Sequence, residues 1–132
     1  MPGETNLNTL LKNMMPVLNE GDYVFCSISD LNGIDINEII ASFKEIEGTT
    51  VILKKQIADD LKLPYSYTAS WITLTVHSSL EATGLTAAFA TALADEGISC
   101  NVVAAYYHDH IFVDKKDADK AIEALTNLSA RS

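Results

Sequence analysis

Apolar and polar residues follow regular patterns most clearly in the second half of the chain. Residues 70–76 alternate between the two kinds of side chain, which predicts a strand with one buried face. From Leu85 to Leu93, apolar residues recur at three- and four-residue spacing, which predicts an amphipathic helix that ends near Gly97. We therefore expect a strand, a glycine-containing turn and a helix in succession.

The residues that follow predict a hairpin. Residues 98–107 have the pattern of a long strand, and residues 110–113 have the pattern of a returning strand. His108 and Asp109 lie between them and are predicted to form a tight turn.

Two further helices are predicted near the ends of the chain. Apolar residues from Leu7 to Met14 have helical spacing, and this helix is expected to end before Pro16. A second apolar face runs from Ala118 to Leu128 and predicts the last helix.

The first half of the chain contains part of the same order. Residues 23–28 predict a strand, residues 30–33 a turn, residues 51–53 a second strand and residues 58–61 a helical turn. Between them, residues 36–43 carry apolar side chains at helical spacing. Because Asp35 with Glu38 resembles a capping box and Gly48 could end a helix, this segment is predicted to be helical.

The two halves are related as an internal repeat. Residues 51–59 align with residues 111–119, with a lysine, an alanine and an aspartate in register, and Gly33 aligns with Gly84. The first half shows no strand pattern equivalent to residues 99–106, so we predict an abbreviated copy. The expected organisation is an N-terminal helix at 1–13, an abbreviated module at 14–66 and a complete module at 67–132.

Composition limits the possible functions. The chain has 132 residues, 48% hydrophobic and 20% charged, which is enough apolar material for a packed core. Nine basic and eighteen acidic residues give a net charge of −9, which argues against a nucleic-acid partner. Without a membrane-spanning run or a signal-peptide pattern, we expect no membrane partner and a cytoplasmic location. Cys26 and Cys100 are expected to be buried free thiols.

The predicted order of elements indicates an α+β fold, a ferredoxin-like sandwich with helices on one face of an antiparallel sheet. On residues 70–89, 97–102 and 106–113 the chain resembles the small bacterial tandem ACT-domain proteins, and more weakly so over nearly its whole length. Relatives of those proteins include the ACT modules of aspartate kinases and the cytosolic arginine sensors. The resemblance implies two tandem ACT-like modules, the first of them abbreviated.

The resemblance also implies where a ligand would bind. ACT modules pair side by side, and an amino acid lies at the interface, where strand-to-helix turns present backbone N–H groups suited to a carboxylate. In this chain the two turns are residues 77–84 and 29–33. The candidate ligand-binding residues of these turns are His77, Ser78, Ser79, Thr83, Gly84, Asp30 and Gly33.

The predicted hairpin supplies further candidates. In the arginine sensors it carries a Tyr-x-Thr-Asp-Tyr pattern whose aspartate helps to hold the ligand, and residues 106–110 resemble this pattern with Asp109 retained. His108 and His110 replace the threonine and the second tyrosine, which leaves the identity of the ligand open. Asp109 is either a partner for a cationic group of the ligand or simply a residue that favours the hairpin turn.

Metal binding and catalysis are weaker interpretations of the histidines. His77, His108 and His110 belong to one predicted module, but no cysteine or glutamate accompanies them at standard ligand spacing. Ser78 and Ser79 follow His77 directly, yet no third group that would orient a catalytic triad is identifiable. No metal, cofactor or enzymatic activity is therefore expected.

The sequence leads to the hypothesis of a non-catalytic regulatory protein that senses an amino acid or a similar small zwitterion at an ACT–ACT interface. A homodimer is expected. Because no output domain is recognisable in the sequence, we expect the signal to pass to a separate effector protein. The alternative is a structural or protein-interaction module that has no metabolite ligand.

Overall fold

The computed structural model describes residues 6–75 and 84–132. In chain order, its helices and strands are α1 (Leu7–Asn13), β1 (Pro16–Leu18), β2 (Tyr23–Ile28), β3 (Ile39–Lys44), β4 (Thr49–Lys54), α2 (Lys55–Asp60), β5 (Ala69–Leu74), α3 (Leu85–Asp95), β6 (Cys100–Ala104), β7 (Asp109–Asp114) and α4 (Ala118–Ala130). Short 3-10 turns at Ile36–Glu38 and Lys115–Asp117 precede β3 and α4. None of the described helices is both long enough and apolar enough to cross a membrane.

The chain divides into two compact units. The short unit comprises residues 21–69, and the long unit comprises the described residues up to Glu20 and from Ser70 onward. Helix α1 and strand β1 therefore belong to the long unit, although the short unit follows them in the chain. The module boundaries expected from the sequence, after residues 13 and 66, stay a prediction about the repeat.

The short unit is built on an antiparallel sheet in which β4 lies between β2 and β3. Cys26 pairs with Val51, and Val51 pairs with Ser42 on the other side, so these three side chains share one face. Apolar side chains of that face and of α2 form the core of this unit, which contains Val24, Cys26, Val51, Leu53 and Ala58.

In the long unit the strands lie in the order β1, β5, β7 and β6. Helices α1, α3 and α4 contact one another and form a single core with the inner face of the strands. Phe89 of α3, Leu125 of α4 and Ile111 of β7 have no exposed surface. Burial of each such side chain stabilises the fold by about 1.5–3 kcal/mol.

Most of the predicted elements are confirmed, and with them the α+β class. Helices α1, α3 and α4 and strands β2, β4 and β5 lie where the hydrophobic pattern placed them. Ile72 and Leu74 of β5 are fully buried, while the opposite face of the strand is half-buried. Val76, predicted as the end of this strand, lies outside the described residues. Both cysteines are free; Cys26 is buried, and Cys100 is only half-buried.

The helix predicted over residues 36–43 is wrong. After one 3-10 turn the chain forms β3, which pairs with β4. Asp35 accepts a hydrogen bond from the backbone N–H two residues further on, so its side chain stabilises this short turn. Ile39 and Ile40 are β-branched and favour a strand, whose backbone groups β4 can pair. Gly48, expected to end a helix, lies in the connection between β3 and β4.

The copy of the repeat in the short unit lacks the helix equivalent to α3. The sequence had predicted instead that this copy lacks a strand. β3 forms an antiparallel pair with β4, just as β6 does with β7. β3 is therefore the equivalent of β6, the strand that the sequence had predicted to be absent from the first half. Gly33 and Gly84, which align in the sequence repeat, have nearly the same φ, +86° and +87°. After Gly84 the long unit forms α3, of 11 residues, whereas after Gly33 the short unit forms one 3-10 turn.

The hairpin turns earlier than predicted. A hydrogen bond from Ala105 N to His108 O, 3.0 Å long, closes the turn beyond β6. Tyr106 and Tyr107 form its tip, and each is 66% exposed, so neither packs in the core. Asp109 is the first residue of β7, and the prediction that it forms the turn is wrong.

Candidate functional site

The first of the two predicted ligand-binding turns lies in the short unit, directly after β2. Asp30 Oδ1 accepts a hydrogen bond from Asn32 N at 2.8 Å, which stabilises the turn. Gly33 has a left-handed φ of +86°, a conformation that side-chain-bearing residues rarely adopt. A Cβ atom at this position would have no neighbouring atom within 4 Å. Glycine is therefore favoured here by the backbone conformation and not by crowding.

This turn and the segment after α2 line a pocket of about 360 Å³. The lining residues are Ser27, Ile28, Ser29, Asp30, Asn32, Gly33, Ile34, Leu61 and Leu63. Asp30 is the only ionisable residue in this set, and serine hydroxyls and an asparagine amide lie near it. Isoleucine and leucine side chains supply apolar surface. A pocket of this size and composition suits a small polar molecule with a short apolar part.

His110 is at the centre of a polar network in the long unit. Its Nδ1 lies 3.0 Å from Trp71 Nε1 and 3.0 Å from Thr73 Oγ1. Asn19 Nδ2 in turn donates a hydrogen bond to Thr73 Oγ1 at 2.9 Å. These side chains lie on β5, on β7 and in the segment after β1, so three parts of the unit position the imidazole.

The network determines which nitrogen of His110 carries the proton. An indole N–H can only donate, so Nδ1 accepts and the neutral ring is protonated at Nε2. Burial lowers the pKa of His110, and so does the neighbouring His108, whereas Asp109 acts in the opposite direction. The ring is therefore held in its neutral form, with Nε2–H as the remaining donor.

Asp109 lies on the opposite face of β7 from His110. Alternation along the strand places it on the side of Ile111 and Val113, which belong to the core beneath the helices. Its side chain is buried, and this burial raises its pKa, opposed by the two flanking histidines. The structure thus does not bring Asp109 and His110 to one surface, and the ligand-binding role of each stays a prediction.

His108 lies in the hairpin turn, and its Nδ1 is buried. No residue in the described part of the chain forms a hydrogen bond with this atom. The predicted contribution of His108 to a ligand site stays a prediction.

The second predicted turn is described only at Gly84. His77, Ser78, Ser79 and Thr83 lie outside the described residues, and their roles stay predictions. Gly84 precedes α3 with a left-handed φ of +87°, and a Cβ there would lie 3.1 Å from Leu7 Cδ2. Both its conformation and its contact with α1 therefore favour glycine, which explains the residue without a ligand.

The described residues contain no group of three histidine, cysteine, aspartate or glutamate side chains that could hold a metal ion. The predicted candidates fall in separate units, with Asp30 and Gly33 in the short unit and Gly84 and the hairpin residues in the long unit. Of the candidates in residues 6–75 and 84–132, only Asp30 and Gly33 line the pocket described above.

The sequence did not identify most of the pocket lining or the partners of His110. Leu61 and Leu63 line the pocket from the C-terminal part of the short unit, a contact that no local sequence pattern predicts. The alternation over residues 70–76 correctly predicted that β5 has a less buried face, and this face carries Trp71 and Thr73. Combining that face with His110 could have indicated the network, but the pairing of β5 with β7 was not evident from the sequence.

Two family models match the chain, and both describe an ACT domain. One matches residues 2–70 and the other residues 66–127. No curated protein matches the chain.

Solved structures resemble the chain over most of its length. A Vibrio cholerae protein of unknown function, described as a possible transport protein, is 50% identical, with a TM-score of 0.84 over 93% of this chain and 95% of that one. A protein from Agrobacterium tumefaciens is 17% identical, with a TM-score of 0.70 over 88% and 89% of the two chains. The ligand-free regulatory subunit of aspartate kinase from Thermus thermophilus is 11% identical, with a TM-score of 0.58 over 86% and 95%.

Proposed function

Because the chain belongs to the ACT-domain family, with tandem matches from residue 2 to residue 127, we propose that it is a non-catalytic regulatory protein that binds an amino acid. ACT domains and the regulatory subunits that share this fold support a regulatory role. The amino acid, a homodimeric state and a separate effector protein are the specific parts of the proposal.

The pocket at the first turn carries this proposal. Its volume of about 360 Å³ lies at the lower end of the range for small-molecule sites, as an amino-acid ligand requires. Its lining combines Asp30 and Asn32 with apolar residues such as Ile34 and Leu61. An amino acid likewise combines charged groups with a side chain that can be apolar.

The way in which the short unit would hold the ligand differs from the sequence-based expectation. That expectation relied on the N–H groups at the start of a helix after the turn. Since only a 3-10 turn, Ile36–Glu38, follows Gly33, no α-helix N-terminus is available at this turn. The hydroxyls of Ser27 and Ser29 and the amide of Asn32 are the neutral groups that can bind a carboxylate here.

A thermal-shift panel of the natural amino acids at millimolar concentration tests the proposal. A ligand at about 100 times its Kd should stabilise the protein by about 2.7 kcal/mol. Ile34→Trp should fill the pocket and abolish this stabilisation, whereas Ile36→Trp should not, because Ile36 is 68% exposed and does not line the pocket. Absence of stabilisation by every amino acid would contradict the proposal.

A protein-interaction module without a metabolite ligand is the second candidate. Phe43 is 71% exposed, and Ile46, in the turn after β3, is fully exposed. A partner protein that covers these two side chains would remove their apolar surface from water. This candidate predicts that no amino acid stabilises the protein and that Ile34→Trp leaves its interactions unchanged.

A further inference from the structure

We infer that the pocket at the first turn selects a ligand with a cationic group on a short aliphatic stem, an inference that rests on the proposed ligand-binding function of this pocket. Asp30 is the one ionisable residue in the lining, and neither lysine nor arginine belongs to it. A cation in the pocket would pair with the carboxylate, whereas an anion would meet a like charge and no compensating base.

The carboxylate of Asp30 can accept further hydrogen bonds besides the one it accepts within the turn. Its Oδ1 accepts the hydrogen bond from Asn32 N at 2.8 Å. An ionised carboxylate has about four acceptor sites on its two oxygens, so it can still accept from an ammonium or guanidinium group. The same hydrogen bond orients the carboxylate before any ligand arrives, which lowers the cost of binding.

The charges around the pocket favour the same selectivity. Between residues 21 and 69 the chain has eight acidic and four basic residues, so the short unit is negative overall. Lys55, one of the four basic residues, is already paired with Asp59 at 2.9 Å. The short unit as a whole therefore attracts cations more than anions.

Apolar side chains define the rest of the ligand. Ile28 and Ile34 lie on the turn side of the pocket, and Leu61 and Leu63 line it from the segment after α2. These side chains can cover methylene groups but cannot satisfy a second charge, so a short aliphatic stem fits beside the cationic group.

The pocket lies at a turn that leads into a strand and not into a long helix. In the long unit, α3 follows the equivalent Gly84 and packs in the core. In the short unit, one 3-10 turn follows Gly33 and the chain continues directly into β3. The pocket lies between this turn and Leu61–Leu63.

Isothermal titration of the full chain with four probes tests the inference. L-lysine and L-norleucine differ by the terminal ammonium, L-glutamate carries the opposite charge, and pentylamine has the cation and the stem without the amino-acid group. L-lysine should bind about tenfold more tightly than L-norleucine, and L-glutamate should bind most weakly, because only the lysine side chain forms a charge-assisted hydrogen bond with Asp30.

Two matched variants locate the selectivity. Asp30→Asn keeps an oxygen for the hydrogen bond to Asn32 and removes the charge, so L-lysine should then bind about as weakly as L-norleucine. Asp35→Asn is the control, because Asp35 makes the same kind of turn bond to Asn37 N at 2.9 Å and does not line the pocket. It should leave all affinities unchanged, and circular dichroism of both variants checks their folding.

The outcomes separate the two proposals. If L-lysine and L-norleucine bind equally, if L-glutamate binds best, or if Asp30→Asn leaves lysine binding intact, the cation selectivity is overturned while amino-acid binding stands. If pentylamine binds and no amino acid does, the selectivity stands and amino-acid binding fails. If no probe binds, both are overturned.

Discussion

The indole of Trp71 donates a hydrogen bond to Nδ1 of His110, and it cannot accept one. Protonation of His110 would place two N–H groups opposite each other and would break this bond and the one from Thr73. Burial of the ring adds a further cost to the charge. The hydrogen bonds to Nδ1 and the burial of the ring therefore both favour neutral His110.

The first prediction follows from the lowered pKa of His110. Because the folded-state pKa lies below the ordinary value of 6.5, the unfolded chain binds this proton first as the pH falls. The stabilisation that neutral His110 contributes is complete above pH 6.5, and it is lost as the pH falls through the lowered folded-state pKa of His110. Urea unfolding between about pH 8 and pH 5 should show this loss, and His110→Gln should remove that part of the pH dependence.

His108→Gln is the control for this prediction, and it should retain most of the pH dependence because Trp71 and Thr73 still bind the ring of His110. Burial raises the pKa of Asp109, so the ionisation of Asp109 costs stability as the pH rises above its ordinary value of 3.8. Asp109 remains in both variants and in the parent protein. Identical pH profiles for the parent protein and His110→Gln would contradict the prediction.

At the scale of elements, Gly33 and Gly84 offer a matched comparison. The two glycines have nearly the same left-handed φ, but a Cβ at Gly84 would lie 3.1 Å from Leu7 of α1, and a Cβ at Gly33 would have no neighbour within 4 Å. Either glycine changed to alanine should lose about 1–2 kcal/mol from backbone strain. Gly84→Ala should lose more, since the contact between α1 and the start of α3 must also adjust.

Urea unfolding of five variants measures this contact: the two glycine variants, Leu7→Ala, and each glycine variant combined with Leu7→Ala. In a Leu7→Ala background the additional cost of Gly84→Ala should disappear, while the cost of Gly33→Ala should be unchanged. An equal loss for both glycine variants in the parent background would show that α1 does not constrain Gly84.

The elements differ in how well the sequence predicted them, for physical reasons. Helices α3 and α4 and strand β5 bury one face, so the core imposes a clear period on their residues. β3 lies at an edge of the short-unit sheet with much of its surface exposed, and its isoleucines fit helical spacing as well as a strand. The hairpin turn was misplaced because tyrosines form its tip and Asp109, a common turn residue, begins a strand.

The candidate site was less predictable than the fold. Asp30 and Gly33 were identified because turn residues have a recognisable composition. The apolar wall at Leu61 and Leu63 depends on a tertiary contact that no local pattern encodes. The sequence also predicted a helix after Gly33, where the structure has one 3-10 turn followed by β3.

At the scale of the whole molecule, the exposed Phe43 supports the proposed homodimer. Phe43 lies on β3, at an edge of the short-unit sheet, and is 71% exposed. We expect the full chain to be a dimer by size-exclusion chromatography with light scattering. Phe43→Lys should shift it to a monomer, because a buried lysine at the contact would lack a partner.

Ser42→Lys is the matched control. Ser42 is the neighbouring residue on the same strand, is also exposed, and projects to the opposite face. This variant should remain dimeric. A monomeric parent protein, or a Phe43→Lys variant that stays dimeric, would exclude this face as the dimer contact.

Trp71 gives the protein a built-in optical probe. It is the only tryptophan in the chain, and it lies in the long unit beside a histidine. Tyrosines, by contrast, occur in both units, as Tyr65 and Tyr106 illustrate. Fluorescence excited selectively at tryptophan therefore reports on the long unit alone, while far-ultraviolet circular dichroism reports on both. Comparing the two signals during denaturation distinguishes cooperative melting of the tandem repeat from sequential melting of its halves, without any label.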